Sequence, residues 1–553
     1  MRRPLLALAL LALGPGVLAQ QPPTGGAIQV PPAPPAPRTE PQIRIEQGPS
    51  AAPGVAGDAV RIVVRSVRVE GATVFPEPQL LELTGFRPGS ELAMADLQAM
   101  ASRITEHYRR NGYFVAQAYL PAQDIRDGAV TIAVSEGRLG TIQLRNRSNL
   151  RNSVANAALA GLQAGDVLAI APVESRLLLL SDLPGLNVSS TLVPGASVGS
   201  SDLIVDVAQG RRVTGSIDAD NAGNRFTGAY RLGATVNVNE PLGLGDVASL
   251  RLLTSGEGLK YGRASYQLQA GRAQVGVAYS WLEYRLGKEF ESLGAHGTAQ
   301  IASVYGRYPV IRSRNDNLYL QLAFDAKKFE DIVDTVPAET DRKTRVLMAS
   351  VFGDHRDGFG GGGVNSYFLT WSTGQVDIQT PAALAQDAAT ARTNGHFNKL
   401  SFNAMRLQRA GGPFSVYAGV SGQVASRNLD VSEKMELGGM NGVRAYPEGE
   451  AYADQGFLLT IEGRVDLPPL PAPVPGRLQL VAFADTGHVT LNRKPWVAGD
   501  NDRTLSGAGI GVNWADPGNF LVRAYYAHRL GGERALSAPD RSGRFWIQLV
   551  KYL

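Results

Sequence analysis

The sequence predicts a mainly β protein: a 16-stranded antiparallel transmembrane β-barrel over residues 210–553, preceded by two small α/β modules of βααββ order. Three observations predict it. Apolar and polar residues alternate with period two through most of the chain after residue 210. The stretch before it repeats one pattern of strand, two helices and two strands. The N-terminus carries an export signal, and no apolar run behind it approaches the roughly 20 residues of a membrane helix. Composition agrees: of 553 residues 44% are apolar and 19% charged, which excludes a mainly disordered chain, and the absence of cysteine excludes a disulfide scaffold. The net charge of +4 is scattered among acidic neighbours, so nucleic acid is not an expected partner.

In order, Met1-Arg-Arg-Pro is basic, Leu5 to Leu13 is an apolar core, and Val17-Leu-Ala19 supplies small residues for cleavage, giving a signal peptide over 1–19. Residues 20–58 are rich in proline, including Pro31-Pro-Ala-Pro-Pro-Ala-Pro37, and read as an extended linker with at most a turn at Ile43 to Gln47. The first module spans 59–138. Ile62 to Glu70 reads as a strand, Phe75-Pro-Glu-Pro opens a helical turn, and Ala93 to Asn111 is an amphipathic helix with Leu97, Met100, Ala101, Ile104 and Tyr108 on one stripe and Gly112 at its cap. Tyr113 to Leu120 and Ala129 to Val134 complete it as strands. The second module spans 139–209, with strands at Thr141 to Asn146, Val188 to Val193 and Asp202 to Val207 and helices at Val154 to Leu159 and Pro172 to Leu180.

From Val213 the alternation of one apolar and one polar face sets in, as in Leu318, Leu320, Leu322 and Phe324 or in Phe457, Leu459, Ile461 and Val465. A soluble sandwich shares this period. About 340 residues of it exceed a usual soluble β-domain, whereas a barrel of about 16 strands uses roughly 20 residues per strand and connection. Glu240 to Asp246 suits a periplasmic turn and Thr380 to Asn398 an extracellular loop; Arg544 to Leu553 reads as the closing strand. Leu437 to Gly456 interrupts the pattern. It is long, rich in glycine and charge, and carries Arg444 near its middle.

These segments resemble a family, the TpsB transporters of two-partner secretion. The resemblance rests on Gly71-Ala-Thr-Val-Phe75, Tyr108-Arg-Arg-Asn-Gly-Tyr113, Asp182-Leu-Pro-Gly-Leu186, Val193-Pro-Gly-Ala196 and Asp220-Asn-Ala-Gly-Asn-Arg-Phe-Thr-Gly228, and covers roughly 60–553. It implies that the two modules are POTRA domains in the periplasm and the barrel a pore in the Gram-negative outer membrane. In the superfamily that includes BamA, a loop folds into the lumen and presents a Val-Arg-Gly-Tyr or Val-Arg-Gly-Phe motif to Phe-x-Asp-x-Gly on the wall. Here the resemblance assigns Val443, Arg444, Ala445 and Tyr446 to the loop, and Phe483, Asp485 and Gly487 to the wall. Ala445 departs from the usual glycine, which puts the geometry of the loop tip in question. A guanidinium suits such a latch, because its fixed fork of donors binds a carboxylate bidentately.

The resemblance implies translocation of a TpsA-type exoprotein of the adhesin or haemolysin class, recognised through its N-terminal secretion domain. It further implies contact with outer-membrane lipid, insertion by the outer-membrane assembly machinery, and a monomer. Relatives often carry an N-terminal plug helix, which a proline-rich linker leaves open. An insertase for outer-membrane proteins is the alternative, with a passive porin or receptor behind it. No catalytic or metal site and no cofactor is expected: six histidines (107, 296, 355, 396, 488 and 528) lack ligand spacing, nothing sets Glu448 and Asp485 about a substrate bond, and Gly360 to Gly363 lacks the lysine of a phosphate loop.

Overall fold

The computed structural model describes residues 24–28, 30, 42–45, 61–197, 199–256, 258–335, 338–471 and 473–553. The signal peptide over 1–19 and most of the linker lie outside the described residues.

The helix Met94–Arg110 buries the predicted stripe of Leu97, Met100, Ala101, Ile104 and Tyr108 against a small sheet. Asp96 caps its start by accepting from the Ala93 N–H at 2.9 Å, and Gly112, with φ of 89°, ends it. The shorter helix Glu77–Thr84 begins with proline in its first turn, as the Phe75-Pro-Glu-Pro stretch predicts. In the sheet, Ser66–Glu70 runs parallel to Ala129–Ser135, which pairs antiparallel with Gln117–Tyr119. Two expectations change. Ile62 to Glu70 is not one strand: the Arg65 N–H donates out of line to the Gly128 carbonyl at 2.7 Å, and Arg61–Val64 pairs with Ser90–Ala93 in a separate ribbon. The strand expected from Tyr113 shrinks to Gln117–Tyr119, because the Ala116 N–H closes a turn onto the Tyr113 carbonyl.

The second unit repeats the plan with strands Arg138–Arg147, Leu186–Pro194 and Ser200–Gln209 under helices Asn152–Leu159 and Ile170–Ser181. Its sheet gains a fourth strand from the linker. Gln42–Ile45 runs parallel along the edge of Leu186–Pro194, from Gln42 opposite Ser189 to Ile45 opposite Leu192, where the sequence suggested at most a turn. Four residues are too few for the period to be read, and the neighbour they need lies over 140 residues away.

Sixteen antiparallel strands, from Val213–Asp220 to Gly543–Tyr552, close into a barrel when the last pairs with the first, Ser216 opposite Tyr552 through Asp220 opposite Gln548. The first strand leaves the second unit, so the turn at 240–246 lies at the near end and the 379–394 connection at the far end. That connection carries a helix, Pro381–Ala389, and is shorter than expected, since the next strand starts at Gly395. The outer face is apolar and exposed, as at Leu320, Leu322 and Phe324.

The near end is docked on the second unit. The Arg151 N–H donates to the Gly243 carbonyl at 2.9 Å, and Arg312 grips Asp182 with two bonds of 2.7 and 2.9 Å.

Candidate functional site

The connection between strands Phe414–Ala425 and Gln455–Asp466 does not stay outside; it folds back into the lumen. Its tip is a tight turn in which the Val443 N–H donates to the Leu437 carbonyl at 2.8 Å and the Tyr446 N–H to Val443 at 2.9 Å. This turn buries Val443, Ala445 and Tyr446 and aims Arg444 at the strand Arg477–Thr490. Phe483, Asp485 and Gly487 alternate along that strand, so all three face inward.

Arg444 meets Asp485 as a fork. Nε donates to Oδ2 at 2.8 Å and Nη2 to Oδ1 at 2.7 Å, while the Arg444 backbone N–H reaches Oδ2 at 3.2 Å. Nη1 donates to Glu462 at 2.8 Å, and the guanidinium lies 3.4 Å from the centroid of the Phe483 ring. Trp546 on the closing strand donates its indole N–H to the Arg444 carbonyl at 2.7 Å, and Thr460 donates to Asp485 at 3.0 Å. Arg444 and Asp485 are only 4% and 2% exposed, so this ion pair is withdrawn from water and each donor of the fork has a partner.

The two small residues of the site explain each other's surroundings. A Cβ at Gly487 would stand 2.3 Å from Leu437 Cδ1, so the wall glycine is the seat of the loop's leucine. Ala445 has no left-handed backbone, and its tip needs no glycine. Its methyl sits over Gly507, where an added Cβ would lie 2.5 Å away.

Several functional neighbours were missed in the sequence. Glu462 and Thr460 are ordinary polar positions of an alternating strand, and nothing local separates them from Arg464. Gly507-Ala-Gly-Ile-Gly511 was readable: glycines two apart clear one face of a strand, and Gly509 makes room for the Phe483 ring as Gly507 does for Ala445. A second anchor was also missed. Arg342, on the strand Ala338–Asp357 five strands round the barrel from Asp485, pairs with Asp430 of the loop at 2.5 Å and with wall Asp331 at 2.6 Å, and Lys327 and Lys399 hold Glu433 at 2.7 and 2.9 Å. On the Arg444 side the loop also presents an acid, Glu450, which pairs with Arg503 of the neighbouring strand at 2.5 Å. Glu448 and Asp485 do not converge: Glu448 accepts from the Met440 N–H at 3.0 Å.

The N-terminal segment lies in the same lumen. Gly25–Ala27 forms one 3-10 turn between wall and loop, with the Gly25 N–H on Asp331 at 2.9 Å and the Ala27 carbonyl accepting from Tyr452 at 2.8 Å.

Residues 199–514 match the family of the haemolysin secretion/activation proteins ShlB/FhaC/HecB, and residues 62–137 match the ShlB-type POTRA domain. The heme/hemopexin transporter protein HuxB of Haemophilus influenzae is 30% identical over 474 residues, 84% of this chain and 82% of HuxB. The structure of CdiB from Escherichia coli superposes with a TM-score of 0.69 at 22% identity, covering 92% of this chain and 93% of CdiB. BamA from Haemophilus ducreyi, lacking POTRA domains 1–3, shares the fold with a TM-score of 0.54 at 15% identity over 89% of this chain and 100% of that one.

Proposed function

The chain belongs to the ShlB/FhaC/HecB family of haemolysin secretion/activation proteins, and from that premise we propose that it exports one large exoprotein of the adhesin or haemolysin class from periplasm to cell surface. It is an outer-membrane two-partner secretion transporter with its POTRA domains in the periplasm. We assign 59–138 and 139–209 as those domains and 210–553 as the pore, acting as a monomer without catalysis of its own. The observation that carries the reading is the coupling of two periplasmic modules to a barrel whose lumen is crossed by an ion-anchored loop, a design for which a passive porin has no use. An insertase shares the barrel with BamA, but the family match favours secretion.

The mechanism follows from the anchors. The exoprotein's N-terminal secretion domain binds as an extended chain, and the edge of Leu186–Pro194 has the chemistry to accept it by main-chain hydrogen bonds once Gln42–Ile45, the strand that fills it, is displaced. Gly25–Ala27 leaves the transport path, while Arg444 and Asp485 hold the lumenal loop against the wall in its competent form. Folding outside then favours outward movement.

Cells with and without this protein, assayed for exoprotein in the medium, test the reading; unchanged export without it would sink the transport function. Arg444→Ala tests the latch: it leaves Asp485 buried without its cation while Glu462 keeps Arg464 at 2.7 Å, a cost of about 3 kcal/mol, and should abolish export while the barrel still assembles. Normal export by that variant would remove the latch role and leave the transport function standing.

A further inference from the structure

Three neighbouring strands, Ala295–Arg312, Asp316–Val333 and Ala338–Asp357, are 18 to 20 residues long, more than the 9–11 or so that cross a hydrocarbon core. Their outward side chains show where the core ends. Val304, Leu320, Leu322, Phe324, Leu347 and Val351 are all exposed and apolar. The next outward positions towards the far end are Ala326 and Lys328 on one strand and Arg345 and Lys343 on its neighbour. Arg345 stands opposite Ala326, Lys343 stands directly opposite Lys328, and Gln300 flanks Lys328 from the third strand. With Tyr279 these side chains line one depression of about 240 Å³ on the lipid side of the barrel.

Like charges directly opposite on a sheet repel. Lys328 has Glu330 at 3.8 Å, Lys343 donates to Gln379 at 3.2 Å and stands beside Asp377, and Asp341 faces Glu330 at the next outward position. Arg345 has neither a hydrogen bond nor an ion pair among the described residues. The cluster sits at the far end, at the level where an outer leaflet places its headgroups, and its apolar continuation runs straight down the wall through Phe324 and Leu347. A soluble anion would match only the upper half of this surface. A protein would have to enter the bilayer to match the lower half.

We propose that Lys328, Lys343 and Arg345 form a binding site for the phosphate groups of an outer-leaflet phosphorylated glycolipid, lipopolysaccharide, whose acyl chains lie over Phe324, Leu347 and Val304. Gln300 and Tyr279 supply the neutral hydrogen bonds at its rim, and the guanidinium of Arg345 offers a bidentate phosphate contact. The site is outside the barrel and separate from the lumenal latch, so it serves anchoring of the transporter in its leaflet.

The test uses the full-length protein purified in detergent. Native mass spectrometry counts glycolipid retained, and thermal unfolding is followed with added lipopolysaccharide, inorganic phosphate or phosphatidylethanolamine vesicles. The wild type should retain the glycolipid and gain thermal stability from lipopolysaccharide alone. The triple variant Lys328→Gln, Lys343→Gln, Arg345→Gln should need about tenfold more lipopolysaccharide for the same shift. Arg345→Gln, which breaks no contact within the protein, should show a smaller loss in the same direction, and Lys551→Gln at the near end none. Equal retention by wild type and both cluster variants overturns the site. So does an equal response of the wild type to phosphate or to phosphatidylethanolamine, the first meaning a free-anion site and the second an unspecific lipid surface.

Discussion

At the scale of single residues, the Arg444–Asp485 contact, the proposed latch, depends on side chains that are absent as much as on those present. Arg444 can lie flat on Phe483 and fork onto Asp485 only because Gly487, Gly507 and Gly509 leave the wall bare around them. Gly487→Val should therefore act as a loop mutation: its Cβ meets Leu437 and the Phe457 carbonyl, at 2.3 and 2.8 Å, and seating the loop over it costs about 1–3 kcal/mol. Export should fall sharply with the barrel still folded, as heat-modifiable mobility on gels checks, and Leu437→Ala in the same chain should restore part of it. Arg444 and Asp485 were legible because each stands in a motif. Glu462 was not, since a charge on a polar lumenal face carries no mark of its use until the loop arrives opposite it.

Among the elements, the turn at 240–246 is where the second POTRA domain meets the barrel. Glu240, wholly buried beside Asp246, has its carboxyl pushed up to about 7, by burial first and by the Asp246 charge second, against a smaller opposing bond from the Gly245 N–H. A carboxyl whose folded pKa is raised stabilises the fold while protonated, so this contribution is present in full below the unfolded value of about 4.5 and is lost as pH rises through about 7. The joint should loosen between those limits, read as faster hydrogen exchange at 240–246 and 149–151. Glu240→Gln should flatten that dependence. The helices of the modules were readable from their stripes, whereas Gln42–Ile45 was not, because its only support is an edge over 140 positions away.

For the whole molecule, charge is distributed so that one loop bridges the lumen. Arg342 joins wall Asp331 to loop Asp430 and also touches Thr24 at 3.4 Å, so it ties the loop and the N-terminal segment to one wall. Arg342→Ala should raise single-channel conductance in planar bilayers by freeing both, while leaving the Arg444 side intact; unchanged conductance would mean that Leu429 and the lysines at Glu433 hold the loop without it. The POTRA-to-barrel order, the number of strands and the closing strand were all within reach of periodicity and length. The inward path of the loop was not, since a glycine-rich interruption has the same composition whether it lies in water outside or in water within.

By itself the sequence determined the period of each strand and the stripe of each module helix, because these are set by neighbours two to seven positions apart, whereas Arg444 and Asp485 were singled out by the resemblance of their motifs to a known family. Only the tertiary structure decided which acids face Arg444, that Ala445 fits over Gly507, that the linker completes a POTRA sheet, and that three cations gather on the lipid side. Those contacts depend on strand register and barrel closure, and they join residues tens to hundreds of positions apart, over which a local pattern carries no information.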